Sequence, residues 1–118
     1  MPLIAKEYEG LQYFALADGL ALDANAVVET ESLYLSRVQG FFSVQISTAG
    51  LGKVTVTPLL SNNGTVYVAS SRVPAVVQDF SGDVIEELSL PFPVRNLKFR
   101  IEETSGHPVT VSLWVVAQ

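Results

Sequence analysis

From Leu97 onward, apolar and polar positions alternate: Leu97, Phe99 and Ile101 are separated by Lys98, Arg100 and Glu102, and Val109, Val111, Leu113 and Val115 by Thr110, Ser112, Trp114 and Val116. A period of two with β-branched and aromatic enrichment is the pattern of a half-buried strand. Glu103-Thr104-Ser105-Gly106-His107-Pro108 separates the two runs, and its Ser-Gly dipeptide reads as a turn, so the expectation is an antiparallel hairpin. Two strands alone are marginal in water, so the buried face calls for further strands and a second sheet.

The same period recurs upstream. Phe42, Val44 and Ile46 alternate with Ser43, Gln45 and Ser47; after Thr48-Ala49-Gly50-Leu51-Gly52, Val54 and Val56 alternate with Thr55 and Thr57, which predicts a second hairpin. Pro58 removes a ladder donor and marks an edge, a bulge or the exit of that strand. Ser61-Asn62-Asn63-Gly64 is the sharpest turn signal, with Thr65 to Ala69 expected to return as a strand. Shorter strands are expected at Ala26–Glu29, around Leu33, Leu35 and Val38, at Ala75–Val77 and at Asp83–Leu90. Residues 1–25 keep neither period for long and are expected to be an extended segment that covers a sheet edge or reaches a neighbouring subunit as an arm, ahead of a single domain over 26–118. Seven or eight short strands without a helical period predict an all-β antiparallel sandwich or jelly-roll-like barrel with little or no helix.

Composition narrows the class. A chain of 118 residues forms one domain that removes roughly two thirds of its unfolded surface from water. With 48% hydrophobic and 16% charged residues it lies far from the disordered regime. The absence of cysteine excludes disulfide staples, thiolate metal ligands and a thiol nucleophile. A net charge of −5 argues against nucleic acid as partner, because phosphate binding rests on Lys and Arg. The first residues lack the basic and apolar regions of a secretory signal, and no window carries enough apolar sequence to cross a bilayer, so a soluble chain without membrane contact is expected.

Chemistry-bearing motifs are sparse. His107 stands alone in a turn, whereas a general base wants a partner and a histidine metal site more than one ring. Asp79, Asp83, Glu86 and Glu87 match no metal loop and read as a solvated acidic rim; Asp18, Asp23 and Asn25 lack the spacing of a calcium loop. Asn63-Gly64-Thr65 fits the glycosylation pattern but reads as an exposed turn. No catalytic residue, cofactor or metal site is assigned, and no enzyme is expected. Trp114 is the most informative side chain: strict alternation in the last hairpin places it outward beside Lys98 and Arg100, where a cation can cover it or a protein partner bury it. Tyr34 and Tyr67 are weaker candidates of the same kind, and Leu11 and Phe14 are apolar candidates in the irregular beginning.

Phe42-Ser43-Val44-Gln45-Ile46, the Thr-rich run Lys53 to Thr57, Ser61-Asn62-Asn63-Gly64-Thr65, and Val94-Arg95-Asn96-Leu97-Lys98-Phe99-Arg100-Ile101 followed by Thr110-Val111-Ser112-Leu113 resemble small structural proteins of tailed bacteriophages. The resemblance spans about residues 33 to 116, with Asn63 where Asp is usual. It implies a virion component: a head decoration or cement protein on the outer capsid surface, assembled in the host cytoplasm, oligomeric, with the major capsid protein or other virion proteins as partners. A tail, fibre or baseplate module fits the same resemblance. From a different class, a carbohydrate-binding sandwich would use outward Trp114 and the tyrosines.

Overall fold

The computed structural model describes residues 4–8, backbone only, together with 11–35, 40–79 and 81–118. The strands are β1 (Ile4–Tyr8), β2 (Leu11–Leu22), β3 (Val27–Glu29), β4 (Leu33–Tyr34), β5 (Phe41–Gly50), β6 (Val54–Ser61), β7 (Val76–Gln78), β8 (Gly82–Ser89), β9 (Asn96–Glu103) and β10 (Val109–Ala117). No described residue is helical. All pairings are antiparallel, and they build two sheets. Sheet one has the order β1-β2-β10-β5-β8; sheet two has β3-β9-β6-β7, with β4 continuing beyond β3 along the same side of β9. The expected antiparallel sandwich is therefore what forms.

Its core is the sum of the inward-facing alternations. Leu97, Phe99 and Ile101 of β9 and Val54 and Val56 of β6 face Val111, Leu113 and Val115 of β10 and Val44 and Ile46 of β5, all fully buried. Each such side chain contributes about 1.5–3 kcal/mol by leaving water.

Both expected hairpins are corrected. β9 and β10 do not pair: β9 lies in sheet two beside β6, and β10 lies in sheet one between β2 and β5. The β5–β6 connection crosses between the sheets in the same way. Period-two patterning reports which face of a strand is buried, and that face is buried equally well in a hairpin or an arch. Connections of three to five residues can span the roughly 10 Å between packed sheets.

One smaller expectation also changes. Thr65 to Ala69 is not a strand; its backbone pairs with β6 at a single bridge, the reciprocal Leu60–Val68 bonds of 2.8 and 2.9 Å. The turn before it forms as expected: the Ser61 hydroxyl accepts from the Gly64 amide at 2.9 Å, and Asn63 Oδ1 accepts from Thr65 and Val66, each at 2.9 Å. Ser36 and Val38 lie outside the described residues.

The irregular beginning contains the longest strand. β2 pairs with β10 through two register shifts, between Val111 and Leu113 and between Leu113 and Trp114. The extra residues at these bulges break the alternation: Phe14, Leu16 and Ala17 all join the core, while Ala15 between them is buried on the outer side beside Trp114. That is why no single period survives in its sequence.

Candidate functional site

The sandwich turns two outer faces in opposite directions, and the candidate residues divide between them. On sheet two, Asn96, Lys98, Arg100 and Glu102 alternate with the buried positions of β9 and point away from the core. Tyr34 lies opposite Asn96 on β4 and is 61% exposed, with the Arg95 guanidinium 5.7 Å from its ring centre. The loop after β6 brings Tyr67 over this face. Lys98 Nζ sits 4.1 Å from the Tyr67 ring centre and 2.7 Å from Glu29 Oε1. The Tyr67 hydroxyl shares a 2.6 Å hydrogen bond with the Ser32 hydroxyl, which also accepts from Asn96 Nδ2 at 3.4 Å. Arg100 pairs with Glu102 on its own strand. Tyr34, Tyr67, Lys98 and Arg100 are thus on one face, as aromatic rings interleaved with cations.

Trp114 is on the other side of the molecule. The expectation that it flanks Lys98 and Arg100 is corrected, because it depended on the β9–β10 hairpin. Trp114 lies half-buried on the outer face of sheet one, in the rung Ala15–Trp114–Gln45–Ile85 that crosses β2, β10, β5 and β8. Ala15 offers little side chain beside the indole, and Ile85 at the far end of the rung is 64% exposed. Leu11, Phe41 and Val116 border a shallow depression at one end of the same face. Phe14, a surface candidate from sequence, is 8% exposed and belongs to the core, because its partner Val115 faces inward.

One polar residue escaped the sequence reading. Glu103 ends β9 and is only 3% exposed. Its Oε1 accepts from the backbone amides of Asn25, Gly106 and His107 at 3.0, 2.7 and 3.1 Å. Its Oε2 accepts from the amides of Lys53 and Ser105 at 3.0 and 2.8 Å and from the Ser105 hydroxyl at 2.6 Å. Burial alone would raise the carboxyl's pKa; bonds from the Asn25 amide, from the Ser105 hydroxyl and amide and from the Lys53 amide outweigh it and hold the value well below the carboxylate range. The carboxylate therefore ties three connections together at one end of the sandwich. A signal for it was present: Glu103 continues the odd-numbered inward register of Leu97, Phe99 and Ile101. Among the described residues, no group of three His, Cys, Asp or Glu side chains is placed to hold a metal ion. His107 is exposed in its turn, where its backbone amide serves Glu103.

No protein-family model matches the chain, and no curated protein matches it significantly. Among solved structures there are matches over its whole length. Its fold resembles that of the SPBc2 prophage-derived protein YomS. The two superpose with a TM-score of 0.58 over 98% of this chain and 97% of that one, at 13% sequence identity. Weaker superpositions, both with a TM-score of 0.48, connect it to the carbohydrate-binding module CBM36, described in complex with calcium and xylotriose, and to a family 29 carbohydrate-binding module. The first covers 95% of this chain and 91% of the module at 16% identity; the second covers 98% and 73% at 12% identity. At these identities the YomS likeness establishes a shared β-sandwich fold and no shared ligand.

Proposed function

We propose that the chain is a non-enzymatic virion structural protein, a capsid decoration or cement protein that bridges neighbouring capsid subunits. The observation that carries this reading is the pair of opposed outer faces. One presents Trp114, Leu11, Phe41 and Ile85, and the other Tyr34, Tyr67 and Lys98. Aromatic and large apolar side chains on a surface are the usual anchors of protein contacts, and a bridge needs them in two directions. Such a protein works by burial alone: a contact of roughly 800 Å² on each partner holds neighbouring subunits in register without turnover. The prophage origin of its structural neighbour is in keeping with a phage component. A tail, fibre or baseplate position would use the same two faces.

A second reading, a carbohydrate-binding module, is favoured by the exposed Tyr34 ring beside the Ser32 and Asn96 polar groups. The two readings part in a direct experiment. Sequencing the DNA flanking the gene should reveal capsid, portal or maturation-protease genes, and mass spectrometry of the purified particle should then count copies of this chain; flanking glycoside hydrolase or secretion genes would defeat the virion reading. In the particle, Trp114→Ala is expected to lower occupancy while the free chain stays folded. Loss of glycan binding in Tyr34→Ala, on the opposite face, with assembly untouched would instead support the module.

A further inference from the structure

We propose that the open edge of β8 is a strand-addition site for an extended, basic segment of a partner protein. β8 is the outermost strand of sheet one on the side of β5, and among the described residues nothing pairs with its other side. Which backbone groups lie open follows from the hydrogen bonds at its end. The Leu90 amide donates to the Gly40 carbonyl at 2.9 Å, while Phe41 exchanges bonds with Gln118 on the β10 side of β5. In an antiparallel ladder the paired residues alternate, so Val84, Glu86 and Leu88 direct their backbone groups at β5. Asp83, Ile85, Glu87 and Ser89 direct theirs outward, leaving a row of amides and carbonyls without backbone partners among the described residues along an eight-residue strand.

The side chains select the occupant. Asp83, Glu86 and Glu87 are exposed and have no cationic partner among the described residues; the only side-chain bond here is a 3.4 Å contact from the Ser89 hydroxyl to Glu87. Ile85, between Asp83 and Glu87 on the outer face, is an exposed apolar centre. A second copy fits poorly: two β8 strands paired antiparallel about Ile85 would set Asp83 directly against Glu87 in both halves, and like charges in cross-strand positions repel. A partner strand with an apolar residue opposite Ile85 and Lys or Arg opposite Asp83 and Glu87 satisfies both the backbone and the charges. This site does not depend on the virion reading, since β8 would accept such a strand whatever the partner's origin.

The test uses the whole chain and a blocked peptide, Thr-Lys-Thr-Val-Thr-Lys-Thr, followed by amide NMR. The expected result is binding that shifts the amides of β8 and slows exchange at the open positions Ile85 and Glu87. Glu in place of both Lys is expected to weaken binding by about tenfold or more, and added salt to weaken the basic peptide. The basic peptide N-methylated at Val and both Lys keeps its charge but cannot pair with the edge, and it should not bind. Asp83→Asn with Glu87→Gln should weaken the unmethylated peptide while leaving the fold unchanged. Equal binding of the acidic or the N-methylated peptide, shifts centred away from β8, no binding at millimolar peptide, or dimerisation of the chain through β8 would each overturn the proposal.

Discussion

Gly52→Ala tests the arch between the two sheets, and the sign of its effect separates two accounts of that glycine. Gly52 does not occupy the left-handed region that favours glycine, so its backbone alone would accept alanine. On that basis the substitution would stabilise the chain by about 0.4–1 kcal/mol through the unfolded state. The surroundings say otherwise. A Cβ at Gly52 would lie 2.5 Å from the His107 carbonyl oxygen and 2.6 Å from Val109 Cβ, nearly an ångström inside ordinary contact. Neither neighbour is the free end of a flexible side chain: His107 belongs to a turn whose amides are held by Glu103, and Val109 begins β10. Relief requires the two crossings to move apart, stretching the Gly52 amide's 3.2 Å bond to the Pro108 carbonyl. Overpacking of this kind costs about 1–3 kcal/mol, and the upper half of that range is expected because backbone must move. In a chain of this size the loss corresponds to a Tm lower by about 10 °C. Urea unfolding followed by the fluorescence of Trp114, the sole tryptophan, measures it, with an unchanged denaturant slope expected. A variant as stable as the parent, or more stable, would refute the reasoning.

Other expectations follow from the same packing. Because the folded pKa of Glu103 lies below its ordinary value of 4.5, its contribution to stability is complete above that value and is lost as the pH falls toward the folded pKa. Unfolding free energies measured from pH 7 to pH 3 should decline at the acid end, and Glu103→Gln should be less stable at pH 7 and show a flatter decline; an unchanged profile would remove Glu103 as the clamp. Leu113→Ala empties a fully buried position on β10 and should cost about 2–5 kcal/mol by urea titration. Glu29→Gln breaks the partly exposed 2.7 Å pair with Lys98 and should change stability by less than about 1 kcal/mol, a small effect that added salt reduces further.

Much of the fold was legible because a strand writes its buried face into its own sequence. The alternations at Leu97–Ile101, Val109–Val115, Phe42–Ile46 and Val54–Val56 all lie with their apolar side inward, and the turn at Ser61–Gly64 forms where Asn and Gly place it. The all-β class and the antiparallel sandwich were readable at that level. What the alternation does not encode is which strand lies alongside. Local pattern fits hairpin and arch equally, and here Glu103, by binding amides as far away as Asn25, gathers the crossing loops into arches. β2 was hidden for a related reason, since its bulges against β10 are set by a partner some ninety residues away. The candidate surface divides along the same line. Tyr34, Tyr67, Lys98 and Trp114 stood out by residue type, but only tertiary structure sets Tyr34 beside β9, brings the loop carrying Tyr67 over Lys98 and sends Trp114 to the opposite face. In an unbulged strand, side-chain direction is a property of neighbours in the chain; the company a side chain keeps is a property of contacts between distant segments.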